Sequence, residues 1–167
     1  MVSDMLFLAQ ADNNQLIPEQ QALDLAEEVH KVFEFFEAWA EEKAVALRFV
    51  GSHCRVMGDP LMLRRAISNL LSNAIRYTPA GQAVTIQLSE SAETIRLVVE
   101  NPGTPIAAEH LPRLFDRFYR VDPSRQRKGE GSGIGLAIVK SIVSAHHGSV
   151  AVQSDRRSTR FIIVLPK

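Results

Sequence analysis

The alternation of apolar and polar residues predicts three amphipathic helices. Apolar side chains recur at three- and four-residue spacing over residues 24–43, 60–77 and 134–146. Asp24 with Glu27 resembles a capping box, and Asp59 followed by Pro60 is typical of a helix start. Gly148 is expected at the C′ position after the last helix.

Short apolar runs bounded by turn residues predict six strands. They cover residues 45–50, 55–57, 83–89, 94–100, 149–153 and 160–165. The first two flank a GSHC turn. Because helices and strands interleave, we predict an α+β fold, a two-layer α/β sandwich with helices packed on one face of a mixed sheet. Residues 1–20 are expected to be a terminal segment or the end of a helix.

Composition narrows the function classes. A chain of 167 residues suffices for one well-buried domain, and 46% apolar with 23% charged residues is an ordinary globular balance. The formal net charge of zero does not point to nucleic acid or an anionic membrane. No apolar run approaches the roughly 18 residues that span a bilayer. Cys54 is the only cysteine, which excludes an internal disulfide and favours a reducing, cytosolic setting.

One face of the second predicted helix is polar and unusual in composition. Asn69, Asn73 and Tyr77 are spaced by four and share a stripe, with Arg76 beside them. Asparagine lowers helix propensity, so two on one face indicate a use beyond folding. An amide oxygen can bind Mg²⁺, and an arginine can hold a phosphate as a fork. A solvated helix face is the alternative interpretation of this stripe alone.

Four glycines alternate directly before the last predicted helix, at Gly129, Gly131, Gly133 and Gly135. Glycine lets backbone N–H groups approach a phosphate at a helix start. The spacing differs from GxGxxG and no GK[ST] follows, so neither a Rossmann fingerprint nor a Walker A loop is indicated. The alternative is a glycine-rich hinge without a ligand.

The connection over residues 102–130 is long for a compact domain, which is typical of a lid. Its cationic side chains are Arg113, Arg117, Arg120, Arg125, Arg127 and Lys128. Phe115, Phe118 and Tyr119 are expected to anchor this segment to the domain. A basic cover of this kind suits closure over a polyphosphate, whereas a solvated loop with ordinary core aromatics is the alternative.

Together, these segments resemble the catalytic and ATP-binding domain of sensor histidine kinases, in the superfamily shared with gyrase-type and MutL-type ATPases. Five segments match its N, G1, F, G2 and G3 boxes in order: NLLSNAIRYTP, ENPGTPI, LFDRFYR, GEGSGIGLAIVKSIVSAHHGSV and STRFIIVLP. The resemblance covers roughly residues 20–167 and implies a Bergerat-type ATP-binding fold with an ATP lid. The G1 form, with FDRFYRVDPSR and SIVSAHHG, resembles the heavy-metal sensor branch, including copper and silver sensors.

The resemblance implies a set of nucleotide-binding residues, with ATP and Mg²⁺ as cofactors. Asn73 would coordinate Mg²⁺, Arg76 would approach phosphate, and Thr159 would lie near the adenine. The full set is Asn69, Asn73, Arg76, Tyr77, Asn101, Gly103, Ile106, Arg117, Tyr119, Arg120, Gly131, Ser132, Gly133, Ile134, Gly135, Leu136 and Thr159.

Three positions depart from the family pattern. Asn101 stands where the G1 box usually carries an aspartate that accepts a hydrogen bond from the adenine amino group. An amide oxygen can accept that bond, but without the charge the binding is weakened by about 1 kcal/mol. Pro105 replaces the second G1 glycine while Gly103 remains, and the G3 glycine is absent before Thr159.

The resemblance also separates a kinase from a hydrolase. Hydrolase relatives carry a glutamate, four residues before the Mg²⁺-binding asparagine, that activates water. Asn69 stands at that position and is no general base, so we expect slow hydrolysis and transfer of the γ-phosphoryl group to a histidine. None of the five histidines lies in an H-E-x-x-x-P-like box, so no catalytic residue is expected within this chain.

The implied organisation is a remnant of the preceding dimerisation helix or linker over residues 1–17 and the catalytic ATP-binding domain over residues 18–167. The expected partners are the chain's own dimerisation and phospho-acceptor domain in a full-length homodimer and a response regulator, with no nucleic acid and no membrane contact by this segment. The expected location is a cytoplasmic domain of a bacterial inner-membrane protein. A degenerate module without nucleotide binding and a serine-phosphorylating anti-sigma-factor kinase remain as alternatives.

Overall fold

The structure contains every predicted helix and strand and adds two elements near the N-terminus. It is a computed structural model that describes residues 2–13, 15–119 and 134–167. The elements are α1 (Val2–Asp12), β1 (Gln21–Asp24), α2 (Leu25–Glu42), β2 (Ala46–Gly51), β3 (Arg55–Gly58), α3 (Pro60–Tyr77), β4 (Ala83–Glu90), β5 (Thr94–Asn101), a 3-10 turn (Leu111–Arg113), α4 (Gly135–Ala145), β6 (Ser149–Ser154) and β7 (Thr159–Pro166). None of the helices in the described ranges is long and apolar enough to cross a membrane.

Five strands form one mixed sheet in the order β2-β4-β5-β7-β6. β2 runs parallel to β4, and the other neighbouring strands are antiparallel. A parallel pair needs a crossover connection, which here contains β3 and α3. The helices α2, α3 and α4 contact the sheet. The predicted two-layer α/β sandwich with a mixed sheet is therefore confirmed.

The hydrophobic core lies between these helices and the sheet. Leu70 and Leu71 of α3, Ile86 of β4, Val99 of β5 and Phe161 of β7 are each at most 1% exposed. Burying a side chain of this size stabilises the fold by about 1.5–3 kcal/mol. The apolar face of α3 is thereby fixed, which leaves its polar stripe half-buried at the margin of the core.

A separate two-stranded antiparallel sheet joins β1 and β3, with Gln21 opposite Gly58. The strands predicted over residues 45–50 and 55–57 follow one another in the chain, but β2 and β3 belong to different sheets. The sequence does not predict β1, because a four-residue strand is too short to show a period and its partner is distant in sequence.

Asp24 and Asp59 cap the first turns of α2 and α3 as predicted, but Asp24 bonds to Ala26 and does not form the expected capping box with Glu27. The Asp24 carboxylate accepts a hydrogen bond from the Ala26 N–H at 3.0 Å. The Asp59 carboxylate accepts from the N–H groups of Leu61 and Met62 at 3.0 and 3.2 Å. These bonds satisfy donors that a helix start otherwise leaves without a partner.

The end of α4 differs from the expectation. His146 is the C-cap, and His147, with φ of 61°, takes the C′ position predicted for Gly148. The N–H groups of His147 and Gly148 bond to carbonyls of the last turn, which is the pattern of a Schellman motif. Gly148 is required for a different reason: a Cβ there would lie 2.4 Å from the Val164 carbonyl oxygen of β7.

Candidate functional site

The polar stripe of α3 lies beside the start of α4. Asn69 donates a hydrogen bond from Nδ2 to the carbonyl oxygen of Gly135 at 3.1 Å, although the two residues are 66 positions apart. Asn73 and Tyr77 follow at one-turn intervals on α3. Asn73 is half-buried, and Tyr77 is 53% exposed. The N-box and G2-box segments identified in the sequence therefore meet across two helices.

Arg76 carries a buried donor without an acceptor. Its Nε has no hydrogen-bond partner within the described ranges. Its carbonyl oxygen accepts a hydrogen bond from Lys43 Nζ at 3.3 Å, which ties the end of α3 to the end of α2. A buried guanidinium nitrogen without an acceptor is unfavourable, and an anion removes that cost. Asn69 and Asn73 on the same helix add amide oxygens, which are ligands of the kind that Mg²⁺ accepts.

Asn101 ends β5, and its side chain has a defined orientation. It is 5% exposed, and its Nδ2 donates to the carbonyl oxygen of Pro102 at 2.8 Å. Of the two amide atoms, only the nitrogen can donate a hydrogen bond to a carbonyl oxygen. The atom next to the Pro102 carbonyl is therefore Nδ2, and Oδ1 is the opposite atom of the amide. Oδ1 is the end that can accept a hydrogen bond from a ligand.

Gly103 brings the G1 segment against the C-terminal end of α3. Its φ is 139°, and a Cβ there would lie 2.8 Å from the Tyr77 carbonyl oxygen. Both the backbone angle and the missing side chain are needed for this approach. The predicted residues of the N box and the G1 box therefore meet at the same end of α3.

A pair of hydroxyl groups joins the G1 segment to the last hairpin. Thr159, which is buried and lies opposite Asn101 in the sheet, has its Oγ1 2.8 Å from Ser154 Oγ. Ser154 Oγ also accepts a hydrogen bond from the Ile106 N–H at 2.9 Å. Ser154 is not predictable from the sequence, because a lone serine at a strand end carries no motif and only the fold brings it to Ile106 and Thr159.

Of the three predicted aromatic anchors, Phe115 contacts the body of the domain, whereas the contact of Tyr119 lies within the 102–130 connection itself. The Tyr119 hydroxyl is hydrogen-bonded to Nδ1 of His110. Phe115 packs edge-to-face on Phe161, with ring centres 6.1 Å apart. Phe118 is 57% exposed and is not an anchor, and its φ of 61° lies in the left-handed region that a bulky residue rarely adopts.

Arg117 contacts α1 in this structure. Its guanidinium forms an ion pair with Asp12, and Nη2 lies 3.5 Å from the Leu8 carbonyl oxygen. The same helix is held to α3 by an ion pair between Asp4 and Arg65 and to the core by Leu8, which is 3% exposed. A residue predicted to bind the nucleotide thus has partners on α1.

The other predicted site residues lie at the start of α4 or outside the described residues. Ile134 is fully buried, and Gly135 and Leu136 form the first turn of α4. Four residues lie outside the described ranges: Arg120, Gly131, Ser132 and Gly133. The same is true of the other predicted lid residues between 120 and 133.

This sandwich of helices on a mixed sheet matches the structures of histidine kinase catalytic domains. Residues 58–167 match the family model described as histidine kinase-, DNA gyrase B-, and HSP90-like ATPase, and the chain belongs to this family. The sensor histidine kinase CusS of Escherichia coli (strain K12) is 73% identical over 166 residues, which cover 99% of this chain and 35% of that protein. The resemblance to the heavy-metal sensor branch is confirmed.

Two solved structures show the same fold over nearly the whole chain. The histidine kinase AdeS of Acinetobacter baumannii has a TM-score of 0.84 and 25% identity, with 99% of this chain and 76% of that chain covered. Full-length ShkA in complex with AMPPNP has a TM-score of 0.87 and 25% identity, with 99% and 35% covered. The chain spans about a third of the length of the curated relatives that it matches.

Proposed function

We propose that this chain binds Mg²⁺ and ATP and supplies the γ-phosphoryl group that phosphorylates a histidine of a two-component sensor kinase. The observation that carries the proposal is the buried Nε of Arg76, which lacks an acceptor among the described residues and lies on the same helix as Asn73. The family match supports it, as does the likeness to ShkA, whose structure contains AMPPNP. The whole protein would respond to a heavy metal of the copper or silver kind.

The two ends of the site have different tasks. At the phosphate end, Asn73 would hold Mg²⁺ and Arg76 would bind phosphate oxygens as a fork. At the base end, Asn101 would accept a hydrogen bond from the adenine amino group, with Ile106 and Thr159 beside it. Bound ATP supplies the transferable phosphoryl group, and the protein supplies position and charge.

Asn69 favours transfer over hydrolysis. Its amide is held to the Gly135 carbonyl oxygen and cannot take a proton from water at neutral pH. No carboxylate therefore stands at the position where hydrolase relatives activate water. The γ-phosphoryl group is kept for an external nucleophile.

The acceptor histidine is proposed to lie outside this chain. The buried His146 has both ring nitrogens engaged: Nδ1 donates to the Ile142 carbonyl oxygen at 2.8 Å, and Nε2 accepts from the Asp59 N–H at 3.0 Å. Such an imidazole has no nitrogen free for phosphorylation. Residues 1–17, which include α1, would be the tail of the dimerisation helix, and residues 18–167 would be the catalytic domain.

The wider assembly follows from this division. The partners would be the dimerisation and phospho-acceptor domain of the same protein in a homodimer, and a response regulator that takes the phosphoryl group. The catalytic domain would lie on the cytoplasmic side of a bacterial inner membrane. The 35% share of CusS that matches this chain leaves room for those other domains in that relative.

The test is calorimetric titration of AMPPNP into the chain, with and without Mg²⁺. We expect Mg²⁺ to raise the affinity at least about tenfold in the wild type and to have little effect in Asn73→Ala. Asn13→Ala, the same change at an exposed asparagine outside α3, is the matched control and should behave like the wild type. Equal Mg²⁺ dependence in Asn73→Ala would remove Asn73 from the metal site.

A folded sample that binds no nucleotide would contradict the proposal for this chain. Titration of a longer chain that includes the preceding helices would then distinguish a degenerate domain from a site completed by those helices. Incubation with γ-labelled ATP should leave no stable label on the present chain. Stable labelling would contradict the placement of the acceptor elsewhere.

A further inference from the structure

Asn101 presents a chemical ambiguity that the structure resolves. An aspartate at this position can only accept hydrogen bonds, whereas an asparagine has an accepting and a donating end. A freely turning amide could accept from the 6-amino group of adenine or, after a half-turn, donate to the 6-oxo group of another purine. Such a site would distinguish the two bases poorly.

The Pro102 carbonyl removes this freedom. Asn101 Nδ2 donates to that oxygen at 2.8 Å, and the bond joins neighbouring residues, so it forms without any long-range rearrangement. A half-turn of the amide would bring Oδ1 to the same place and set two acceptors against each other without a proton between them. Because Asn101 is 5% exposed, water cannot readily replace the lost bond.

The backbone around this bond is itself fixed. Asn101 is paired with Thr159 across the β5–β7 ladder. The pyrrolidine ring of Pro102 restricts φ, and Gly103 lies so close to the Tyr77 carbonyl oxygen that a Cβ would be 2.8 Å away. The residues on either side of the Pro102 carbonyl are therefore both restrained.

We propose that the Pro102 carbonyl makes Asn101 a one-way acceptor, so that the site selects 6-amino purine nucleotides over 6-oxo purine nucleotides as an aspartate would. The inference rests on the proposed nucleotide-binding function. It assigns a positioning role to the Pro102 backbone and a specificity-determining role to the direction of the Asn101 amide.

The first test compares ATP with inosine triphosphate, which carries a 6-oxo group in place of the 6-amino group. Affinities are measured with Mg²⁺ for the wild type, Asn101→Asp and Asn101→Ala. We expect the wild type to prefer ATP by about 10- to 100-fold, since the wrong base leaves a buried group without its partner. Asn101→Asp should show the same preference within about threefold, and Asn101→Ala should lose most of it.

Each outcome decides a specific point. If the wild type bound ATP and inosine triphosphate with equal affinity while Asn101→Asp strongly preferred ATP, the amide would be turning freely. This result would overturn the inference. Equal preferences in all three proteins would show that residue 101 does not read the base, which also overturns it. Failure of every protein to bind either nucleotide would overturn the proposed function, and the inference with it.

A second measurement examines the bond without any nucleotide. In the free protein, one side-chain NH proton of Asn101 should exchange with solvent at least about tenfold more slowly than those of the exposed Asn13. Equal exchange rates would overturn the fixed orientation even if ATP binds. This result would leave the proposed function intact, so the two failures can be distinguished.

Discussion

The side-chain amide of Asn69 donates to the carbonyl oxygen of Gly135 at 3.1 Å and so joins the middle of α3 to the first residue of α4. Both helices contribute predicted nucleotide-binding residues, Asn73 on α3 and Leu136 on α4. The relative position of Asn73 and Leu136 therefore depends on the bond from Asn69 to Gly135. Asn69 is also the residue that stands where hydrolase relatives carry a glutamate.

Substitutions of Asn69 should show a specific order of stability. Asn69→Ala loses the bond and should reduce the free energy of unfolding by about 1 kcal/mol. Asn69→Asp is nearly isosteric but sets an acceptor against the Gly135 oxygen, so we expect a reduction of about 2 kcal/mol or more. Urea unfolding without nucleotide measures both. Asn69→Asp unfolding no more easily than Asn69→Ala would contradict this role of the bond.

Gly103 and Gly81 form a matched pair that separates backbone strain from a close approach. Both have positive φ, 139° and 87°, but a Cβ at Gly81 meets nothing within 4 Å, whereas one at Gly103 would lie 2.8 Å from the Tyr77 carbonyl oxygen. Gly81→Ala should destabilise by about 1 kcal/mol, and Gly103→Ala by about 2–4 kcal/mol. Thermal unfolding and AMPPNP titration check this, and only Gly103→Ala should also weaken nucleotide binding.

The sequence predicted the elements because their signals are local. The apolar period of residues 60–77, with Asp59 and Pro60 before it, located α3 and its polar stripe from neighbouring residues alone. The pairing of β1 with β3 was not predictable in this way, since it depends on chain closure around α2. Periodicity also gave no indication that β2 and β3 separate into two sheets.

The candidate site shows the same division between local and distant information. The resemblance identified Asn101 and Thr159, but it gave no direction for the Asn101 amide, which depends on the Pro102 carbonyl. Ser154 was missed because its importance comes from two distant partners. The contact of Arg117 with α1 was also unpredictable, because it joins segments that no motif relates.

Asp24 gives the stability of the fold an acid dependence. Burial raises the pKa of its carboxyl group, but hydrogen bonds with His53 and with the N–H groups of Ala26 and Cys54 outweigh this effect and lower the pKa below its ordinary 3.8. The folded state therefore binds this proton less tightly than the unfolded state. The resulting stabilisation is present above about pH 4 and is lost as the pH falls through the lowered pKa.

In Asp24→Asn, the free energy of unfolding should fall less steeply as the pH is lowered, because asparagine keeps the helix cap but does not titrate. Urea unfolding between about pH 3 and pH 6 measures the slope of stability against pH. His53→Ala removes one of the hydrogen bonds that lower the pKa of Asp24, so it should reduce this slope in part. Identical slopes for Asp24→Asn and the wild type would show that other carboxyl groups cause the loss of stability at low pH.

If Arg117 binds the nucleotide as predicted, its ion pair with Asp12 would place α1 in competition with the nucleotide for one guanidinium. Arg117 is a predicted nucleotide-binding residue, yet its guanidinium contacts Asp12 and the Leu8 carbonyl oxygen. The two side chains of the pair are 41% and 56% exposed, so the pair is weak and open to exchange with phosphate oxygens. Removing the Asp12 charge should therefore release Arg117 toward the nucleotide.

Asp12→Asn should tighten AMPPNP binding by about two- to fivefold at low salt, and the gain should shrink as salt screens the exposed charges. The matched control is Asp4→Asn, which removes a carboxylate of the same helix, α1, and breaks its ion pair with Arg65 of α3 but leaves Arg117 and its partners unchanged. Calorimetric titration of AMPPNP into both variants at low and high ionic strength measures these changes in affinity. Equal gains would mean that loosening α1 from the domain, and not the freedom of Arg117, changes the affinity. A loss of affinity in Asp12→Asn would show that the ion pair instead holds Arg117 where the nucleotide needs it.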